Sequence, residues 1–400
     1  MIQADDENHG VGSGRYAAVF WLMVWFASSG FFQRNGGMPG LAISLAVVAA
    51  GGWLWYRFGE IAVSWVRARP RTWIALAAIL LTVVFVFGYA WEDGKGPGKS
   101  SDRDDGLNIA VSRLVTGESP YYPDHPMAGP LSVLPGAVFL ATPFAVAGNS
   151  AWQNLFWLAV FFAVSLKFGA CQGRMLVLLG CLFALCPALL YEWISGGDMI
   201  ANGIYVLLAL VMYLRVWGGR SPALWALVAS ALFLGVALAS RMNFLLVLPI
   251  LGTAVWRVAG FARAAIGVAA VCAVFAAVTL PFYLADPDGF TPLIAGDKLG
   301  LVNQHVPWGG AALKTLSAMV AVAAGLALFA VPSRRVSRAV LPLTIIVLLA
   351  PMVAMVAMQS WISGLPDFGF MHPRYALMAL FAAIWAWGCR VHWWGTQSYS

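Results

Sequence analysis

Charged residues are scarce in this sequence. Asp, Glu, Lys and Arg make up 10% of its 400 residues, whereas hydrophobic residues make up 61%. A soluble domain carries about 25% charged residues, and its core cannot bury such a large apolar surface. The shortage of charge therefore excludes an ordinary soluble domain and predicts a helical integral membrane protein.

Cysteine is also scarce, and its spacing does not indicate chemistry. The five cysteines lie in apolar segments or at the ends of these segments, with no CxxC or Cys/His metal-ligand spacing: Cys171, Cys181, Cys186, Cys272 and Cys389. We interpret them as small buried apolar residues. No disulfide or metal site is expected from them.

Long apolar stretches predict about twelve transmembrane helices in a single transmembrane domain over residues 1–400. A span needs roughly 17–25 mostly apolar residues. Residues 1–15 are polar and lack the features of a secretory signal, so the first stretch is expected to be a retained span. The stretches lie near 16–32, 39–57, 73–91, 150–167, 175–192, 200–216, 222–240, 243–257, 264–283, 309–331, 339–358 and 373–390.

The basic residues predict the orientation, because Lys and Arg favour cytoplasmic loops. If the apolar stretch 130–147 does not cross the membrane, 15 of the 24 basic residues and four acids share one side, while nine basic and thirteen acidic residues share the other. If that stretch crosses, the later basic clusters lie on the opposite side of the membrane from Arg67, Arg69 and Arg71. We therefore predict that it does not cross.

This topology places both termini in the cytoplasm of what we expect to be a bacterial inner-membrane protein, with residues 1–15 as a cytoplasmic tail. The net charge of +7 is then a topology signal, and no nucleic-acid partner is expected. Loops 92–149 and 284–308 lie outside the cytoplasm. Pro130, Pro135 and Pro143 favour juxtamembrane or re-entrant helices in the first loop.

A phosphate-binding P-loop is the first interpretation that the 92–149 loop suggests, and the sequence excludes it. Gly98-Lys99-Ser100 matches the end of that motif. However, Asp93 stands where the first glycine is required, and the preceding segment is an apolar helix rather than a strand. The glycines are better explained as a linker.

A short surface helix is predicted immediately beyond this linker. Asp104 or Asp105 can cap its N-terminus, and Gly117 is expected to end it. An apolar stripe at helical spacing follows the aspartates: Leu107, Ala110, Val111 and Leu114. Asp102, Asp104 and Asp105 are candidate catalytic carboxylates, although solvated loop charges and a helix cap would also explain them.

The order of these motifs resembles the GT-C class of membrane glycosyltransferases, and within it the polyprenyl-phosphate-mannose-dependent mannosyltransferases. The matching elements are Asp104/Asp105, then Gly117-Glu-Ser-Pro120-Tyr121, then the proline-rich stretch 126–135. The match covers residues 102–147 well and the remaining helices loosely. Two spans precede the helix that leads into the loop, whereas the family usually has one.

The resemblance implies a GT-C-like fold and an inverting hexosyltransferase with an aspartate as general base. Its donor would be a polyprenyl-phosphate sugar, mannose or a similar sugar. The acceptor would be a lipid or a cell-envelope glycan. Because the leaving group is already a phosphate, no second carboxylic acid is needed.

Polar residues on the same side are candidates for substrate binding. Arg241 and Arg374 can hold a lipid phosphate or anchor helix ends by snorkelling. Asp198 can orient sugar hydroxyls or simply belong to a tight turn. The full expected substrate-binding set is Arg241, Arg374, Tyr121, His372, Asp198 and His305.

No cofactor is expected, and a divalent metal at the Asp102–Asp105 patch is considered but not favoured. The alternative function is a secondary transporter or lipid flippase. The lack of a clear internal repeat and the location of Lys314 and Glu192 near helix ends argue against it. A non-catalytic scaffold subunit is a third interpretation. Membrane lipids are partners in every case.

Overall fold

The computed structural model describes residues 9–95, 103–121, 130–168, 172–294, 298–369 and 373–388. Within these ranges the chain is helical and contains no strand, which confirms the predicted all-α class. The α-helices are α1 His9–Ala68, α2 Pro70–Asp93, α3 Arg103–Val115, α4 Pro135–Val146, α5 Gln153–Phe168, α6 Gln172–Leu185, α7 Pro187–Ile194, α8 Met199–Trp217, α9 Leu224–Leu238, α10 Leu248–Ala259, α11 Phe261–Ala285, α12 Thr291–Ile294, α13 Lys298–His305, α14 Gly309–Ala330, α15 Val336–Ser363 and α16 Leu377–Gly388.

Seven helices among the described residues are long and apolar enough to cross a membrane, and a bent pair raises the number to eight. The chain is therefore a helical membrane protein. Within the described residues all twelve predicted stretches fall on helices, but the described parts of α5, α9 and α16 have only 16, 15 and 12 residues. The number twelve stays a prediction.

The first two predicted spans belong to α1, which doubles back on itself. Its backbone is non-helical at Gly37 (φ 60°, ψ −151°). Across this break, Trp25 Nε1 donates to Ser44 Oγ at 3.0 Å, and a Cβ on Gly52 would lie 3.0 Å from the Trp21 ring. Residues farther before the break thus meet residues farther after it, so the two halves run antiparallel.

The stretch predicted as a span at 175–192 is bent in the structure. Gly173–Leu185 and Pro187–Ile194 meet at 88°. The cause is local, because Pro187 lacks the N–H that a continuous helix needs. The bend carries α7 to the C-terminal part of α2, where the Tyr191 hydroxyl donates to Glu92 Oε1 at 3.2 Å.

Helix α8 forms the centre of the bundle. Its residues are almost all buried, and it packs against α5, α9 and α16. Gly203 permits a close approach to α16, because a Cβ there would lie 2.8 Å from the Met378 carbonyl oxygen. Because α8 is central, its N-terminus lies in the middle of one end of the bundle.

Helix α3 follows the sequence prediction closely. Leu107, Ala110 and Val111 are buried in one hydrophobic cluster with residues of α4. Gly117 has a φ of +80°. It ends the helix by donating to the Leu114 carbonyl at 3.1 Å, while the N–H of residue 118 donates to the carbonyl of residue 113 at 2.8 Å.

The prediction that Asp104 or Asp105 caps α3 is wrong. The helix begins at Arg103, so Asp104 and Asp105 lie inside its first turn. Carboxylates are favourable there because unpaired backbone N–H groups and the positive end of the helix dipole surround them. This position turns Asp104 inward instead of leaving it at the edge of the loop.

Helix α4 occupies the stretch that charge counting predicts not to cross the membrane. It has 12 residues and is therefore about 18 Å long, shorter than the roughly 30 Å hydrocarbon core. Its N-terminus is fixed to the end of α9, since Leu134 and Gly136 donate to the carbonyls of Ser240 and Ala239 at 3.0 and 2.7 Å. Both α3 and α4 are thereby attached to one end of the bundle.

Candidate functional site

Asp104 lies where three segments of the chain meet. It is buried, with 2% of its surface exposed. The Tyr89 hydroxyl of α2 donates to Asp104 Oδ2 at 2.5 Å, and Asn149 Nδ2 donates to Tyr89 Oη at 2.6 Å. Ser150 Oγ donates to the Asp104 carbonyl at 3.2 Å. The carboxylate is therefore held inside the structure and is not a solvated loop charge.

The surroundings of Asp104 adjust its affinity for protons. Burial raises the pKa of Asp104 to about 6, the hydrogen bond from Tyr89 opposes this rise, and repulsion from Asp105 adds to it. A carboxylate with this pKa is mostly ionised at neutral pH and takes up a proton more readily than an ordinary aspartate. Both properties suit a general base.

Two glycines bring the loop between α7 and α8 against buried carboxylates. Gly196 has a φ of +67°, and a Cβ there would lie 2.7 Å from Ala151 Cβ and 3.1 Å from Asp104 Cγ. At Gly197 a Cβ would lie 2.2 Å from Oε1 of the buried Glu192. Only glycine permits this conformation and these approaches.

An ion pair between Asp198 and Arg241 lies directly beyond this loop. Asp198 precedes α8, Arg241 follows α9, and they are 2% and 7% exposed. Asn202 Nδ2 also donates to Asp198 Oδ2 at 2.8 Å. Arg241 donates to Ser132 Oγ at 3.3 Å and lies 5.7 Å from the centre of the Tyr375 ring. Asp198 therefore does more than form a turn.

Arg374 reaches the same region from the segment before α16. It interacts electrostatically with Tyr191, which in turn hydrogen-bonds to Glu92. Glu92 is buried and also pairs with Lys95 at 2.5 Å. Arg241 lies 5.7 Å from the ring of Tyr375, the residue after Arg374, and its partner Asp198 ends the loop that approaches Asp104 at Gly196. We call this region the polar end, formed by residues 89–95, 104–108, 149–154, 191–202, 241 and 374–375.

Other predicted site residues have different surroundings. Tyr121 is buried in the α3–α4 cluster, where its hydroxyl donates to the Val133 carbonyl at 3.1 Å and its ring lies 4.9 Å from that of Phe290. His305 is exposed at the end of α13. Asp105 is half-buried beside Asp104. Two further predictions lie outside the described residues: Asp102 and His372.

Sequence reasoning missed several polar residues of this region. Glu92 and Glu192 are carboxylates in or at the end of apolar helices, and that context is a recognisable signal of function. Tyr89 and Asn149 carry no comparable signal, because their importance depends on contacts with distant residues. Among the described residues, no group of three or more His, Cys, Asp or Glu side chains is arranged to hold a metal ion.

Comparisons of the chain with protein-family models, with curated proteins and with solved structures gave no match. The likeness to GT-C enzymes thus rests on the motifs of residues 102–147. The geometry adds an independent observation, which is that the buried Asp104 and the buried Asp198–Arg241 pair are linked through one short loop at an end of the bundle.

Proposed function

We propose that the protein is a membrane glycosyltransferase that moves a sugar from a polyprenyl-phosphate donor to a hydroxyl group. The sugar is mannose or a similar hexose or pentose, and the acceptor is a lipid or cell-envelope glycan on the extracytoplasmic face. One observation carries the proposal: Asp104 is buried and held by Tyr89 within a region that also contains Arg241 and Arg374.

In this reaction Asp104 is the general base. Its carboxylate takes the proton of the acceptor hydroxyl while the hydroxyl oxygen attacks the anomeric carbon. The bond between that carbon and the phosphate oxygen breaks, and the polyprenyl phosphate leaves with the electron pair. Attack from the face opposite the leaving group inverts the configuration. A single carboxylate is sufficient because the leaving phosphate needs no proton.

Arg241 and Arg374 are proposed to bind the donor phosphate. Asp198 and Ser132 hold the Arg241 guanidinium in a fixed position. Donors that are fixed before the reaction stabilise developing charge without a further cost of reorganisation. The guanidinium has five N–H donors in a planar arrangement that matches phosphate oxygens.

The outer surface of α2 offers a place for the prenyl chain. Much of this helix is exposed and apolar, including Ile79, Leu80 and Phe87. In a bilayer this surface faces lipid, and it ends next to Tyr89, the partner of Asp104. A donor can therefore keep its chain in the membrane while its phosphate and sugar enter the polar end.

A secondary transporter or lipid flippase is the second candidate. Buried charges such as Glu192, Asp198 and Arg241 favour it, because ionisable residues inside membrane proteins often mark a transport path. These three charges lie at the ends of α7, α8 and α9 rather than midway along them. That location favours a reaction at the membrane face.

Two assays on the same purified protein separate these functions. The first incubates it with a radiolabelled polyprenyl-phosphate sugar and an envelope lipid extract, and it measures label in the acceptor fraction. The second reconstitutes it in liposomes and measures passage of the labelled donor across the bilayer. We expect transfer in the first assay. Passage without transfer would establish the transporter instead.

A further inference from the structure

A directional chain of hydrogen bonds ends at Asp104. The Ala151 N–H donates to Asn149 Oδ1 at 2.8 Å, which fixes the amide so that its NH₂ faces Tyr89. Asn149 Nδ2 then donates to Tyr89 Oη at 2.6 Å. Because Tyr89 accepts this bond, its single proton points to Asp104 Oδ2, 2.5 Å away. The chain therefore delivers a donor to Asp104, which matches a carboxylate better than a carboxylic acid.

We propose that Tyr89 and Asn149 are positioning residues that hold Asp104 in one orientation and favour its ionised form. The inference rests on the proposed role of Asp104 as a base. Neither residue needs to touch the substrate. Tyr89 acts on Asp104 directly, and Asn149 acts through Tyr89 by fixing the direction of its hydroxyl proton.

Both positioning residues are themselves fixed. The Tyr89 ring is stacked on Phe85, with ring centres 5.5 Å apart and planes 9° apart. A Cβ on Gly196 would lie 2.8 Å from this ring, so the loop between α7 and α8 also packs against Tyr89. The Ser150 N–H donates to Asn108 Oδ1 at 2.8 Å, which attaches the Asn149 segment to α3. Base and positioning residues thus form one rigid unit.

The charges that face Asp104 can be assigned to the elements around it. Asp105 lies on the same helix, and its charge opposes ionisation of Asp104, as burial does. Helix α2 brings Tyr89, which donates to Asp104 and is itself affected by the charge of Asp93, and the 195–198 loop approaches Asp104 at Gly196 and ends in Asp198, the partner of Arg241. Helix α4 and residues 150–152 contain no ionisable side chain. Tyr89 therefore makes the largest contribution that offsets burial in the pKa of Asp104, and the backbone N–H groups of residues 104 and 105 add to it.

The test measures protonation of Asp104 without any substrate. An apolar carbodiimide reacts with protonated buried carboxyl groups, and mass spectrometry of the Asp104 peptide gives labelling as a function of pH. Tyr89→Phe removes the donated bond and should raise the labelling midpoint by about one pH unit. Asn149→Leu should raise it less. Tyr213→Phe is the matched control, since this buried tyrosine has no hydrogen-bond partner among the described residues.

An unchanged midpoint in Tyr89→Phe would overturn the proposal, even if that variant transferred sugar poorly. A merely structural role would lower the yield of folded protein and leave the midpoint where it is. The labelling needs no donor or acceptor, so its outcome is independent of the proposed function. If the wild type transferred no sugar and the midpoint still moved, the enzyme assignment would fail and the positioning of Asp104 would stand.

Discussion

Arg241 at the polar end of the bundle has partners of a different kind from those of Arg257 and Arg263 at the opposite end. At the polar end Arg241 is buried and pairs with the carboxylate of Asp198. At the opposite end, about 28 Å away along α8, Arg263 donates to the Gly219 carbonyl at 2.5 Å. There Arg257 donates to three carbonyls at the end of α14, at 3.0, 2.5 and 3.1 Å.

The two kinds of partner have different energetic consequences. The last carbonyls of a helix have no partner inside it and carry partial negative charge, so an arginine placed there stabilises the helix end. A buried arginine paired with a carboxylate is costly to desolvate, and hydrophobic residues often replace such a pair without loss of stability. Stability alone therefore does not explain the buried Asp198–Arg241 pair, whereas the proposed function gives Arg241 a role in binding the donor phosphate.

The largest effect on stability should come from breaking this pair. Asp198→Asn removes the carboxylate from a buried guanidinium and should lower the free energy of unfolding by about 3–5 kcal/mol. Arg257→Gln at the opposite end should cost only about 1 kcal/mol, because neutral carbonyl contacts are lost. Denaturant unfolding in detergent micelles measures both values. Equal costs for the two variants would remove the distinction between the ends.

Glycine substitutions sharpen the comparison in a second way. Gly196 and Gly364 have similar φ values of +67° and +71°, but only at Gly196 would an added Cβ have other atoms within 4 Å. Gly364→Ala should therefore cost about 1–2 kcal/mol from backbone strain alone. Gly196→Ala should cost roughly 2–3 kcal/mol more and reduce transfer, since the loop must move away from Tyr89 and Asp104. Similar unfolding energies would mean that the loop does not pack against these two residues.

The smallest expected effect is a change in pH dependence. Only ionised Asp104 can take a proton, so kcat/KM for transfer should rise with pH and level off above about 6. Asp105→Asn removes a like charge, lowers the pKa of Asp104 and should move this rise to lower pH by less than one unit. Arg257→Gln should leave the profile in place. Initial rates between about pH 4 and pH 8 test all three expectations.

Local rules were sufficient for much of the fold. The apolar stretches predicted helices, and the stripe Leu107, Ala110, Val111 with Gly117 predicted α3 almost to its ends. The bend between α6 and α7 has a visible signal in Pro187, and the prediction of a span at 175–192 did not include a bend. Helix boundaries and bends of this kind depend on single residues rather than on composition.

The sequence allowed candidate residues of the site to be chosen, but not the contacts between them. Asp104, Asp198, Arg241 and Arg374 stand out because charge is rare in this chain. Their pairing does not, since Asp198 and Arg241 are 43 residues apart and Tyr89 and Asn149 are 60 apart. Such contacts depend on how the helices pack, and no local pattern encodes them. The sequence therefore left Asp102, Asp104 and Asp105 as candidates and favoured Asp104 or Asp105 as the base. Between these two, burial and the Tyr89 hydrogen bond favour Asp104, and Asp102 lies outside the described residues.

Transfer by Asp104→Asn, compared with Asp105→Asn, tests the central claim most directly. The variants change neighbouring residues by the same chemistry, and the label-transfer assay measures both after each is shown to be folded. Loss of a general base should lower the rate of transfer by about 10²–10⁴ in Asp104→Asn, while Asp105→Asn keeps most of its activity. A folded Asp104→Asn protein that transfers sugar at the wild-type rate would contradict the assignment of Asp104 as the base.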